Sequence, residues 1–293
     1  MKLYTHGQLF KDKNNNILSI EGSQKNKKEI LANYIYLVDE EIGWVNIQGT
    51  PYLKVIKKQN GEWRNFKEQE IILQKKLGNY KNSAIYPFNQ LIKKSEIHNL
   101  TNTKDTLKKF MVEKNKESII LSAFQVMNIT IEEYSSIGMI GSFQVGQYSK
   151  TSDIDLIFYL SKERNFEIFT QIQEIIKNNN GLFGKGERAR LNPLRFKHKE
   201  HEFCIHFSLP EDLIEKFEIK EDAIGSEIEK IFEVASIDYS IYCPTILKCK
   251  NDEFLILYHG GDRGIFSVGD KLKVKGTKYE VGVVINSYER YLG

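Results

Sequence analysis

Ile137-Gly-Met-Ile-Gly-Ser-Phe-Gln-Val-Gly-Gln-Tyr-Ser-Lys-Thr-Ser-Asp-Ile-Asp-Leu-Ile-Phe-Tyr-Leu160 is the stretch on which the reading of this chain turns. A short apolar run, Ile137 to Ile140, stops at Gly141-Ser142. Eleven residues beyond Ser142, Asp153-Ile154-Asp155-Leu156-Ile157-Phe158-Tyr159-Leu160 begins as a strongly apolar strand with two carboxylates at its start. Side chains alternate along a strand, so Asp153 and Asp155 share one face while Ile154 and Leu156 enter a core. Carboxylates so close repel unless a divalent cation lies between them. Oxygen ligands of this kind suit Mg²⁺, which takes one or two carboxylates and completes its shell with phosphate oxygens and water. A Gly-Ser turn at a strand end adds free backbone N–H groups and a hydroxyl, a grip for phosphate. Together they describe a site for a metal–nucleoside triphosphate. The plainer reading, a buried strand with an Asx turn at its entrance, gives two acids on one face of so apolar a strand little reason to be there.

Gly141-Ser142, the spacing to Asp153, and acid-apolar-acid-apolar in that order resemble the signature of the DNA polymerase β-like nucleotidyltransferase superfamily. That superfamily includes polymerases, poly(A)- and CCA-adding enzymes, antibiotic nucleotidyltransferases, protein-modifying enzymes and second-messenger synthases. The likeness covers Leu107 to Leu209, about a third of the chain. It implies that Gly141 and Ser142 hold the β- and γ-phosphates, and that Asp153 and Asp155 bind one or two Mg²⁺, or Mn²⁺. An acceptor hydroxyl would attack the α-phosphorus in line and pyrophosphate would leave, with catalysis resting on charge neutralisation and positioning.

The superfamily usually presents a third carboxylate from a neighbouring strand, as metal ligand or as the base for the attacking hydroxyl. Here the candidate strand is Glu202-Phe203-Cys204-Ile205-His206-Phe207-Ser208-Leu209. Phe203, Ile205, Phe207 and Leu209 form its core face, and Glu202, Cys204, His206 and Ser208 the face turned to the two aspartates. His206 then stands where an aspartate is commonest, and Glu202 is the only acid on that face. Either Glu202 supplies the carboxylate, or His206 replaces it as base or ligand, or the enzyme is weakened. At ~3.3 Å per residue the two are about 13 Å apart and cannot do one job. Imidazole suits Mn²⁺ or Zn²⁺ better than Mg²⁺. The wider set His198, His201, Cys204 and His206 matches no closed zinc site in its spacing.

Between Gly184 and Lys199 lie Lys185, Arg188, Arg190, Arg195, Lys197 and Lys199. Arg195 and Lys197, two apart on a strand, are candidates for a basic wall facing triphosphate or a polynucleotide backbone; an ordinary solvated hairpin is the alternative.

Composition limits the class. The 293 residues carry 41% apolar and 12% aromatic side chains, enough for globular cores. A net charge of +3, with both signs interspersed, neither demands nor excludes nucleic acid and mildly disfavours a processive polymerase. Cys204, Cys243 and Cys249 are too few for a disulfide framework, which points to a reducing compartment. No hydrophobic leader opens the sequence, and no run approaches the ~18–20 apolar residues of a membrane span. A soluble, cytoplasmic protein without a membrane partner is the expectation.

The expected fold class is α+β: a mixed sheet with helices on one face, flanked by a small N-terminal β-rich domain and a C-terminal β-rich domain. Residues 1–100 carry short aromatic and β-branched runs, the hairpin signal Asn60-Gly61 and a helix near Phe66–Leu77. Trp44, Tyr52 and Trp63 are either core or a stacking surface. Residues 101–210 form the nucleotidyltransferase domain, with a helix over Leu107–Met127 broken near Asn115, and an amphipathic helix from Glu163 to Asn180. Residues 211–293 begin with a helix over Glu211–Phe232. Strands follow at Ile237–Tyr242, Phe254–Tyr258, Ile265–Val268, Lys271–Val274 and Tyr279–Ile285, and Val268-Gly-Asp-Lys-Leu-Lys-Val-Lys-Gly276 resembles the strand–turn pattern of small SH3-like barrels.

The sequence therefore points to a metal-dependent nucleotidyltransferase. Its partners are a nucleoside triphosphate and an acceptor left open among a small molecule, RNA, a protein and a second nucleotide. A non-catalytic nucleotide- or RNA-binding protein on the same fold is the rival, and His206 is its main support.

Overall fold

Short runs of β-branched and aromatic residues between turn-formers become strands through the first hundred residues. The computed structural model describes residues 3–25, 28–78, 80, 89–149, 152–178, 193–219, 223–258 and 260–291. Its contacts fall into two units, Met1–Asn102 with Ser142–Tyr148, and Thr103–Gly141 with Ser149–Gly293.

In the first unit, strands Leu9–Lys11, Ile17–Ile20, Glu29–Val38, Thr50–Lys54 and Val45–Ile47 lie in that order, all antiparallel, and Gln90–Lys93 joins the Glu29 end of the long strand. Tyr36 and Tyr52 are buried at its centre, and the Tyr52 hydroxyl donates to the Asn15 carbonyl at 3.0 Å. Trp44 packs beside them, whereas Trp63 is 46% exposed beneath the Lys57 amine, so the three aromatics make no common stacking surface. Helix Phe66–Leu77 starts in a capping box between Asn65 and Glu68. The segment Ser142–Tyr148 belongs here: Val145 packs on the Tyr36–Tyr52 cluster, and the Gln144 and Gln147 amides donate to the carbonyls of Gly7 and Asn46.

The second unit opens with helices Thr103–Glu113 and Glu117–Val126, split at Asn115, whose φ of 49° is left-handed. A four-stranded sheet follows in the order Arg195–His198, His201–Phe207, Ile154–Phe158, Ile137–Met139. Its central pair is parallel and both outer pairs are antiparallel. A parallel pair needs a crossover, and helix Lys162–Asn178 lies in it, burying Ile168, Phe169 and Ile172. Phe158, Phe196, Phe203 and Phe207 are fully covered, and Phe196 stacks on Phe203 with centroids 5.2 Å apart.

The C-terminal part is a closed five-stranded barrel in the order Ser226–Tyr239, Thr245–Cys249, Phe254–Leu257, Gly282–Tyr291, Lys271–Tyr279. Phe232, Val234, Leu247, Leu255, Leu272, Val274 and Val283 fill it. At a register shift between two of its strands, a β-carbon on Gly276 would lie 2.2 Å from the Val284 carbonyl oxygen, so only glycine fits. The expected helix over Glu211–Phe232 is corrected: among the described residues of that span Glu211–Lys216 is helical, and Ser226 onwards is strand. Ile224, Ile228 and Ile231 mimic helical spacing, but Phe232 and Val234 enter the barrel two residues apart while Ile231 stays 60% exposed. The strand expected at Ile265–Val268 is absent, and Thr245–Cys249, unmarked in the sequence reading, is present. No helix of the described residues is long and apolar enough to cross a membrane.

Candidate functional site

Strand register assembles the site. Asp155 pairs with Cys204 and Ile157 with His206 across the parallel strands; Cys204 pairs in turn with Arg195, and Glu202 with Lys197. Partners across a ladder point the same way, so Asp155, Glu202, Cys204, His206, Arg195 and Lys197 share one face. Asp153 stands one residue before its strand.

Arg195 is the hub. Its Nη1 lies 2.8 Å from Asp153 Oδ2 and 2.8 Å from Glu202 Oε1. The two carboxylate oxygens therefore cannot be farther apart than twice that distance. Asp155 meets a different neighbour: its Oδ1 is 3.7 Å from His206 Nε2, which is 3.4 Å from Cys204 Sγ. The backbone of Asp155 accepts from Ile140 N–H at 3.0 Å, which pins it beside Gly141. Gly141 has φ +78°, and a β-carbon there would lie 2.2 Å from Asp155 Oδ2. The glycine is required twice, by its dihedral and by the carboxylate.

Electrostatics follow from crowding and burial. Burial pushes Asp155 up to about 6, against the pull of Arg195. The charge on Asp155 is the main cause that raises Asp153, with burial second. Burial also pushes the Cys204 thiol up to about 12. It drives His206 well below the ordinary imidazole range, helped by the positive charges of Arg263 and Arg195. At neutral pH His206 is a neutral imidazole and Cys204 a thiol.

The remaining expected residues disperse. Ser142 is half-buried in a 3₁₀ turn, Gly141–Val145, and its carbonyl accepts from Gln147 N–H at 3.0 Å. Lys197 is exposed and pairs with Glu200 at 3.0 Å. Lys185, Arg188 and Arg190 lie outside the described residues, and of the proposed basic wall Arg195 is the member seen, among the described residues, to pair with Asp153 and Glu202. His198 meets the Ser122 hydroxyl at 2.8 Å and His201 the Lys116 amine at 3.3 Å, which separates both from Cys204 and His206. Ser208, on the same strand face, is buried rather than presented to a ligand. Cys204, which the sequence places on the site face and in a set with His198, His201 and His206 whose spacing matches no closed zinc site, touches His206. One residue of the site carries no signal in the sequence. Arg263 comes from the barrel, is 4% exposed, and donates to the Ile205 carbonyl at 3.2 Å and the Gly260 carbonyl at 2.8 Å. No local pattern marks an arginine that arrives from so far along the chain.

Paired carboxylates, one of them raised chiefly by the other's charge, are a donor set that a divalent cation relieves; Arg195 supplies the countercharge to Asp153 in this arrangement. No curated protein and no solved structure matches the chain. A family model does: residues 130–235 match the nucleotidyltransferase domain, a span that contains Gly141, Asp153, Asp155, Arg195, Glu202, Cys204 and His206, and over that span, about a third of the chain, the match is consistent with the polymerase β-like superfamily.

Proposed function

We propose that the chain transfers a nucleoside monophosphate from a nucleoside triphosphate to an acceptor hydroxyl, with release of pyrophosphate. The observation that carries this reading is the pair Asp153–Asp155 beside Gly141, in which the charge on Asp155 raises the Asp153 carboxyl, within the span matched to the nucleotidyltransferase domain. Asp153 and Asp155 would hold Mg²⁺ or Mn²⁺, which supplies charge neutralisation at the triphosphate and a template for in-line displacement. Gly141, bare of a side chain, lets the backbone come close to phosphate, and the Ser142 hydroxyl adds a donor. Glu202, which shares Arg195 with Asp153, is the third carboxylate and the acceptor's base. Arg195 holds Asp153 and Glu202 in place until substrate arrives and then turns its charge to the phosphates, with Lys197 at the rim. His206, neutral and against Asp155, orients that carboxylate rather than serving as the base.

A non-catalytic nucleotide-binding role is favoured by one observation: an uncharged His206 occupies the strand position where the resembled superfamily most often has an aspartate. The two readings part on turnover. Each of the four α-labelled nucleoside triphosphates is incubated with Mg²⁺ or Mn²⁺ and with small-molecule, RNA, protein and nucleotide acceptor pools, beside Asp153→Ala. Pyrophosphate release and label transfer that vanish in Asp153→Ala are the expected result. Metal-dependent nucleotide binding without either would replace the enzyme with the binding protein.

A further inference from the structure

Asp155, Cys204 and His206 bring three ligand atoms together: a carboxylate oxygen, a sulfur and an imidazole nitrogen lie within 4.8 Å of one another. His206 Nε2 is 3.4 Å from Cys204 Sγ and 3.7 Å from Asp155 Oδ1. Metal bonds of ~2.0–2.1 Å to nitrogen and oxygen and ~2.3 Å to sulfur give a coordination tetrahedron edges of about 3.3–3.6 Å. Both separations are thus close to those of ligands around one ion, before any ion is added.

The donor chemistry is wrong for Mg²⁺ alone. Mg²⁺ takes oxygen, whereas a thiolate and an imidazole select softer ions such as Zn²⁺ or Co²⁺. Access is one-sided: Cys204 is 2% exposed, while the side chains of His206 and Asp155 keep 12% and 17%. His198 and His201, engaged with Ser122 and Lys116, take no part.

We propose that Asp155, Cys204 and His206 form a binding site for a thiophilic divalent ion of the Zn²⁺ class, with a fourth position open, which competes with Mg²⁺ for Asp155. On binding, the Cys204 S–H bond breaks, a sulfur–metal bond forms and the proton leaves to solvent; Asp155 and His206 donate lone pairs, and nothing is oxidised or reduced. The inference rests on this ligand set and holds whether or not the chain transfers nucleotides.

The test is a Co²⁺ titration followed by electronic absorption, with Zn²⁺ as displacing ion. The intact protein is expected to bind Co²⁺ with tetrahedral visible bands and a near-ultraviolet thiolate-to-cobalt charge-transfer band that Zn²⁺ removes. Cys204→Ser should lose the charge-transfer band and His206→Ala should weaken Co²⁺ binding by roughly tenfold or more. Both variants are checked for wild-type circular dichroism, and Cys204→Ala replaces Cys204→Ser if that one misfolds. Asp153→Ala, whose carboxylate lies outside the set, should keep the band while transfer is lost, so either reading can fail without the other. No thiolate band at saturating Co²⁺, or a band that survives removal of Cys204, overturns the site.

Discussion

A β-carbon on Gly141 would meet Asp155 Oδ2 at 2.2 Å, and the residue's φ of +78° already strains any other side chain. Gly141→Ala must therefore push the Asp155 carboxylate away or turn the backbone. A displacement of about 1 Å at a reacting centre costs on the order of a hundredfold in rate. Pyrophosphate release by Gly141→Ala is expected to fall by about that factor. Gly146→Ala separates the two causes, because Gly146 has φ +75° and nothing within 4 Å of its β-carbon position. It shares the backbone strain and should keep most of the activity; equal losses in both would remove Asp155 from the explanation. At this scale the placement of the two aspartates was legible in the sequence. Asp153 and Asp155 are set two apart in an apolar strand, and period two puts both on one face without any knowledge of the fold. The choice between Glu202 and His206 was not legible, since it depends on how a parallel partner registers. That register sets Cys204 opposite Asp155, brings His206 within 3.7 Å of the Asp155 carboxylate, and leaves Glu202 to meet Arg195.

Helix Lys162–Asn178 covers the sheet that bears the carboxylates, and its first turn is anchored by Arg164. The guanidinium grips both oxygens of Glu133, Nε to Oε1 at 2.6 Å and Nη2 to Oε2 at 3.1 Å, and also reaches the Asn128 carbonyl. Glu133 itself caps the 3₁₀ turn Ile131–Ser136. The Arg164 hydrogen bonds hold the Glu133 carboxyl below its ordinary value of 4.5. The folded state thus binds that proton less readily than the unfolded chain, so the pair's stabilisation is full above about 4.5 and is lost as pH falls through the lower folded value. Glu133→Gln should cost roughly 1–3 kcal/mol at neutral pH, the range for a partly buried charged pair. The deficit relative to wild type should shrink in acid, as urea unfolding across that range would show; a deficit independent of pH would mean the carboxylate charge is not what holds the helix. Elements of this kind were readable where one periodicity ruled, as in this helix and in the strand Ile154–Phe158. They were misread where two competed. The Ile224–Ile228–Ile231 spacing spelled a helix, but closure of the barrel requires Ser226–Tyr239 to pair along both edges, and long-range pairing overrode the local pattern.

At the scale of the whole chain, the division falls between Gly141 and Ser142. Gly141 is grouped with Thr103–Gly141 and the carboxylate strands, whereas Ser142, the next residue, begins a segment grouped with Met1–Asn102. Nothing in the sequence of Ser142–Tyr148 shows this, because its anchors are single side chains. Gln144 donates to the Gly7 carbonyl at 2.8 Å and also meets the Thr101 hydroxyl, and Gln147 donates to the Asn46 carbonyl at 2.7 Å. Inside the segment, Gly146 N–H donates to the Phe143 carbonyl and Gln147 N–H to the Ser142 carbonyl. Those two amides report whether the turn is held. Three side-chain hydrogen bonds worth about 1 kcal/mol each bound the effect of their loss, so exchange at the two amides should speed up on the order of a hundredfold in Gln144→Ala/Gln147→Ala. The two substitutions touch neither carboxylate nor Arg195. If the turn presents Ser142 to the triphosphate, the same variant should raise KM for the nucleotide more than it lowers kcat, since the chemistry of Asp153 and Asp155 is untouched. Faster exchange with unchanged KM would leave the turn's order to the first unit alone and take Ser142 out of substrate binding. Unchanged exchange would show that Val145, packed on the Tyr36–Tyr52 core, holds the segment by itself.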